Sequence, residues 1–149
     1  MTDNLSKEKR SRVMGSIRAR SKLENRVSRA LWHKGLRFRK NDRSLYGTPD
    51  ISIKKYKLVI FIDSCFWHMC PVHGKFPKSN EKFWEKKLLR NIEHDREVTT
   101  HYLELGWNII RIWEHDLKKD FDLTIEKIYS FVESEKNKKE QIYIEDYLL

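Results

Sequence analysis

Cysteine is scarce in this chain of 149 residues. There are two, Cys65 and Cys70. In a reducing compartment such a pair serves as free thiols or metal ligands more readily than as a structural disulfide. Long apolar runs are missing too. No segment can span a membrane, and the N-terminus lacks a signal-peptide h-region, so an intracellular protein is expected. Repeats, low-complexity tracts and linkers are absent, and the expectation is a single domain over residues 1–149, long enough for a real core. Acidic residues fall short of basic ones, 22 against 31, which leaves a net charge of +9. That excess suits a polyanionic partner, nucleic acid first, although charge alone fits a merely soluble basic protein equally well. Five Trp, six Tyr and seven Phe can fill a core and exclude a disordered chain.

The chain is organised around Val59 to His73. An apolar run rich in β-branched residues, Leu58 to Ser64, reads as a buried central strand. It breaks into a loop holding both cysteines, two histidines and the adjacent Phe66 and Trp67. Residues 1–20 are basic and form either a solvated terminus or an arm that orders on a phosphate backbone. Ser21 and Glu24 match a capping box, and Leu23, Val27, Ala30 and Leu31 give one apolar face. A helix over about 22–34 follows, with Gly35 at its C′ position. Leu36 to Arg39 alternates like a half-buried strand. Pro49 to Ile53 is a strand with proline at its entrance. Lys54 to Lys57 is a polar hairpin turn. Asn80 caps a long helix reaching about Leu105, which Gly106 ends. Trp107 to Trp113 is a further strand, with Glu114, His115 and Asp116 at its end. Phe121, Ile125, Ile128 and Val132 mark a helix over about 121–134, and residues 135–149 remain as a C-terminal tail. The pattern is a mixed α/β domain, a central sheet flanked by helices.

Three constellations carry chemistry. Cys65, Cys70 and His73 are thiol and imidazole donors of the kind Zn²⁺ prefers, and His115, on a neighbouring strand end, is the best fourth ligand for a structural site. The same residues can also be two buried thiols and ordinary histidines. Asp50 and Asp63 flank paired strands and could converge on a hard cation, with His68 as general base or transition-state donor. They read equally as a turn acid, a strand-end acid and a loop histidine. Phe66, Trp67 and Trp84 are either core or a wedge that inserts between DNA base steps.

Taken together, several motifs resemble a known family. Gly47-Thr48-Pro49-Asp50, Val59 to His68, Phe83-Trp84, Asn91, Asp95-Arg96, Leu103 to Trp107 and Trp113-Glu114-His115 occur in order. The chain resembles very-short-patch repair (Vsr) DNA mismatch endonucleases over about residues 7–118. The resemblance implies the restriction-endonuclease-like fold of the PD-(D/E)XK superfamily with a structural zinc site. It implies a strand-specific nick 5′ of the thymine of a T:G mismatch left by deamination of 5-methylcytosine. It implies Mg²⁺ at Asp50 with the carbonyl of Ile62 as a second ligand, His68 as the catalytic histidine, and Glu24 as an acid that orients a histidine. Phe66, Trp67 and Trp84 map onto the mismatch wedge, and Cys65, Cys70, His73 and His115 onto the zinc ligands. It further implies a monomer in the bacterial cytoplasm, at the nucleoid, acting on double-stranded DNA, with a mismatch-repair matchmaker as a candidate partner. One departure bears on mechanism. Well-known members carry Thr-His-Gly where this chain has Ile62-Asp63-Ser64, so Asp63 replaces a catalytic histidine and becomes a candidate metal ligand and catalytic residue, although a carboxylate does not donate a proton at neutral pH as an imidazolium does. The zinc loop is also respaced, with His115 where a cysteine is common. Two rivals remain: a restriction-type nuclease cutting matched duplex, and a non-catalytic zinc-stapled DNA-binding module.

Overall fold

The structure, a computed structural model, describes residues 7, 22–71 and 78–148, with side chains as far as residue 138. Most of the basic arm and His73 lie outside the described residues. Helix α1 covers the described residues 22–33. It ends with Gly35 N–H on the Trp32 carbonyl and Leu36 N–H on the Leu31 carbonyl, the paired bonds of a Schellman stop. Ser21, the expected cap, lies outside the described residues. Strands β1 (Arg39–Lys40), β2 (Ile51–Ile53) and β3 (Leu58–Asp63) follow, with a 3₁₀ turn at Lys54–Tyr56 between the last two. Helix α2 is Glu81–Glu104, strand β4 Asn108–Trp113, helix α3 Glu114–Lys119 and helix α4 Phe121–Leu148.

The sheet order is β1-β2-β3-β4. The first two pairings are antiparallel, and β3 runs parallel to β4 in register from Leu58–Asn108 to Asp63–Trp113. All six residues of β3 are buried. Strand alternation splits them between two layers. Leu58, Ile60 and Ile62 join Ile51, Ile53, Leu23, Val27, Leu31, Leu117, Ile125, Ile128 and Val132, so α1, α3 and α4 cover one face. Val59 and Phe61 pack with Val98 and Tyr102 of α2 on the other. Asp63 continues the second set, which delivers its carboxylate to the α2 side.

Some expected boundaries move, each for a physical reason. The strand expected at Leu36–Arg39 is confined to Arg39–Lys40. Leu36, 1% exposed, enters the core directly from the Schellman stop and is not free to join the ladder. Asn80 is left-handed (φ 55) and its side chain does not cap α2. Its carbonyl instead accepts the Trp84 N–H. The last helix does not stop near 134 but continues to Leu148, so residues 135–148 extend it. No helix among the described residues is long and apolar enough to cross a membrane.

The segment between β1 and β2 is held by a buried acid. Asp42 Oδ1 accepts the Ser44 N–H (3.0 Å) and hydroxyl (2.5 Å), and Oδ2 accepts the Ser52 hydroxyl (3.0 Å). Lys54 lies 3.7 Å away. The Ser44 hydroxyl leads the groups that lower the Asp42 carboxyl from its ordinary 3.8 to about 2. Because the folded value lies below the unfolded one, the ionised carboxylate contributes stability above pH 3.8 that is lost as pH falls toward about 2. Asp42→Asn is therefore expected to melt lower than the parent at neutral pH. The gap should close between pH 3.8 and about 2 in a series of thermal melts.

Candidate active site and thiol–imidazole cluster

Asp50 directly precedes β2 and lies on the same side of that strand as Ser52, two residues on. Its Oδ2 accepts the backbone N–H of Ile62 at 2.7 Å, fastening the carboxylate to the carboxyl end of β3. This places Asp50 beside Asp63 in a cleft of about 140 Å³. Thr48, His68, His94, Asp95 and Arg111 also line it. The sequence pairing of Asp50 with Asp63 and His68 is thus present in space. Glu24 is not among the cleft-lining residues; it sits on α1, where its carbonyl accepts the Ser28 hydroxyl.

The loop that presents Asp50 is under backbone strain. Gly47 (φ 76) and Thr48 (φ 48) are consecutive left-handed residues, and the second is β-branched, for which this conformation is an outlier. A Cβ on Gly47 would stand 2.8 Å from Val98 Cγ1. Tyr102, a buried residue on the same helix, donates its hydroxyl to the Tyr46 carbonyl at 2.5 Å. Burial, then the nearby Asp42 charge, raises the Tyr102 phenol and keeps it a donor. Helix α2 therefore clamps this loop from beneath.

At the other wall, His68 Nδ1 lies 2.5 Å from Asp95 Oδ2 and 3.7 Å from Asp63 Oδ1. Arg111, paired across the sheet with Phe61, reaches over that ring at 4.6 Å. Its Nη1 donates to both Asp63 oxygens at 2.9 and 3.1 Å. Asp63, a candidate metal ligand and catalytic residue from the sequence, has its 4%-exposed carboxylate engaged by this guanidinium. Neither Arg111 nor the role of Asp95 was foreseen. Arg111 sits in an apolar strand, where an interrupting cation was the available signal, and Asp95 reads as one of many charges on a long helix.

Phe66, Trp67 and Trp84 converge. Their ring centroids are 5.0 Å apart for Phe66–Trp67, 5.5 Å for Phe66–Trp84 and 5.7 Å for Trp67–Trp84. All three are part-exposed rather than core. Phe83, which the sequence placed in a motif but not in the wedge, is 60% exposed and touches Trp84 edge-on at 5.5 Å. Lys87 stands over Trp67 at 5.3 Å, and Asn91 Nδ2 donates to the Trp67 carbonyl, tying the cluster to α2. A second hollow lined by Trp67, His68, Asn91, His94 and Asp95 makes the aromatic rim continuous with the cleft.

Behind this loop, Cys65 Sγ and Cys70 Sγ each lie 3.3 Å from His115 Nδ1. The turn closes with Cys70 N–H on the Cys65 carbonyl, and β4 followed by the first turn of α3 brings up His115. These three donor atoms fall within 4.8 Å of one another. Burial, with the adjacent Cys70 sulfur, raises the Cys65 thiol.

A four-stranded mixed sheet with acids and a histidine gathered at the carboxyl end of its central strand is consistent with an α/β nuclease. Comparison with known proteins is specific. A family model described as DNA mismatch endonuclease Vsr matches residues 2–74. A type II nicking enzyme of Haemophilus parainfluenzae, V.HpaIIP, is 41% identical over 132 residues, 84% of this chain and 94% of its own. The DNA mismatch endonuclease Vsr of Escherichia coli is 37% identical over 130 residues, 86% of this chain and 83% of its own. The type II nicking enzyme V.NaeI of Lentzea aerocolonigenes is 41% identical over 117 residues, 74% and 70%. The chain belongs to the Vsr family and is a DNA endonuclease, a phosphodiester hydrolase.

A side chain at Gly47 must both adopt the left-handed conformation and displace Val98. Gly47→Ala is expected to lose about 1–3 kcal/mol in denaturant unfolding. Its DNA cleavage should fall further than its stability accounts for, because the same loop carries Asp50.

Proposed function

We propose that this chain nicks one strand of duplex DNA 5′ of the thymine in a T:G mismatch. The carrying observation is the continuity of an acid–histidine cleft with a part-exposed rim of Phe66, Trp67 and Trp84. Relatives named as nicking enzymes support a single-strand cut, and the E. coli relative named as a mismatch endonuclease supports the mismatch. Aromatic wedges unstack base steps at a few kcal/mol each, and a mispaired step is cheaper to open, which gives the rim its selectivity.

In this reading Asp50 and the Ile62 carbonyl would hold Mg²⁺. Oxygen donors of this kind suit a hard cation, and Asp50 lines the cleft hard against the Ile62 backbone. A cation held there would supply charge stabilisation of the phosphate and a lowered water pKa. The chain's own groups do the rest. With Nδ1 of His68 given to Asp95, Nε2 is the nitrogen that exchanges a proton with water or the leaving oxygen. Asp63, engaged by Arg111, contributes through its neighbours and not as a second strong ligand. Glu24 remains a candidate to act on the site from α1. Cys65, Cys70 and His115 would hold structural zinc, and the fourth ligand expected from the sequence, His73, lies outside the described residues. Two adjacent buried thiols with an imidazole are a donor set that a soft-tolerant cation satisfies.

The test is an end-labelled duplex with one T:G mismatch in varied contexts, incubated with Mg²⁺ or EDTA. The expected product is a single nick beside the thymine, with Mg²⁺ only, and none from Asp50→Ala. Equal cutting of matched duplex would reassign the chain as a restriction-type nuclease. Binding without a nick under every condition would leave a DNA-binding module. Trp67→Ala should weaken binding to mismatched duplex by about 1–3 kcal/mol and matched duplex far less. Elemental analysis should find zinc in the purified protein and less in Cys70→Ser. That variant should melt well below the parent, since structural zinc supplies on the order of 10 kcal/mol of folding free energy. Metal-free protein with unchanged stability would refute the zinc site.

A further inference from the structure

We propose that Arg111 is a positioning residue of the cleavage site, a clamp that holds the two carboxylates flanking His68 in place. It rests on the reading of this cleft as the site of cleavage. Three elements meet at this guanidinium. Nη1 binds both oxygens of Asp63 at the end of β3 and lies 3.8 Å from Asp95 Oδ1. Nη2 donates to the Asp95 backbone carbonyl at 3.3 Å, and Nε donates to Thr99 Oγ1 at 2.9 Å, one helical turn further along α2. The plane of the group is backed by the Phe61 ring. Arg111 is thus fixed at all three nitrogens and bound to both acids that approach His68 Nδ1.

The geometry has a chemical consequence. Asp63 and Asp95 bring two carboxylates to the same nitrogen of His68. Three acids, Asp50, Asp63 and Asp95, then line one small cleft that must admit a phosphate. Unpaired, Asp63 and Asp95 would repel the phosphate and each other and compete for the same imidazole nitrogen. Arg111 removes the competition. It takes Asp63, which leaves Asp95 as the 2.5 Å partner of Nδ1 and Asp63 as the 3.7 Å onlooker. The His68 ring is thereby held in one orientation, with Nε2 available to the reaction. A rigid planar fork can bridge these acceptors together, and a lysine ammonium, a single point of charge, cannot.

Deleting one charge of a buried pair leaves the other stranded, so single variants confound folding with function. The informative protein is the neutral double variant Asp63→Asn/Arg111→Met, alongside Arg111→Lys and Asp50→Ala. Single-turnover nicking of the T:G duplex is measured with Mg²⁺, binding of the same duplex with EDTA, and folding by thermal melting. The expected result is a double variant that melts near the parent and binds DNA within about twofold, yet nicks at least tenfold more slowly, because Asp95, the partner of His68, has lost the guanidinium that ties it to β4. Arg111→Lys should fold and bind but also nick slowly. A double variant nicking at the parental rate would overturn the clamp and leave the pair a structural ion pair. If the parent nicks and Asp50→Ala nicks equally well, the cleft is not the cleavage site and the clamp falls with it. If Asp50→Ala is inactive while the double variant is unimpaired, the site stands and the clamp alone is wrong.

Discussion

The structure depends on the burial of β3 on both faces. A strand with six buried residues needs a layer on each side and a hydrogen-bonded neighbour on each edge. Here β2 supplies the antiparallel edge and β4 the parallel one, while α1, α3 and α4 cover one face and α2 the other. Everything chemical happens where that double cover ends. At Asp63 the strand stops being apolar, and the chain turns through Cys65 to Cys70 within a few residues. The carboxyl end of this strand is therefore where side chains of different elements can meet without further apolar packing between them.

Helix α2 is more than a lid. Its buried Val98 and Tyr102 grip the loop that carries Asp50, Asp95 and Thr99 engage His68 and Arg111, Asn91 holds the Trp67 carbonyl, and Trp84 completes the aromatic cluster. One 24-residue helix thus sets the relative positions of the acidic loop, the imidazole and the rim. A small rotation of α2 would move all three together, so the cleft and rim keep a common frame. Preorganisation of this kind is what positioning of a scissile phosphate requires.

The thiol–imidazole cluster serves the same end from the opposite side of the loop. Cys65 and Cys70 close a turn whose intervening residues are Phe66, Trp67, His68 and Met69, and His115 ties that turn to the strand parallel to β3. Aromatic rings held part-exposed in water would otherwise collapse onto the nearest apolar surface. A short turn anchored at both ends keeps them displayed beside the cleft.

Much of this was legible in the sequence because it is local. The strand at Leu58–Asp63, the glycine-stopped helices and the placing of Cys65 and Cys70 in one short loop follow from periodicity, stop signals and donor chemistry. The resemblance carried by the ordered motifs named the family. What only the tertiary structure decided concerns partners distant along the chain. Asp63 and Arg111 are 48 residues apart and Asp95 and His68 27 apart, and no spacing rule pairs them. The parallel register of β3 and β4 sets Arg111 beside Phe61, two residues from Asp63 on the same face, and the packing of α2 brings Asp95 to His68. Asp63 on its own reads as a ligand for a cation; which cation it faces is a property of the fold, because charge in a buried site takes its meaning from the neighbour that neutralises it.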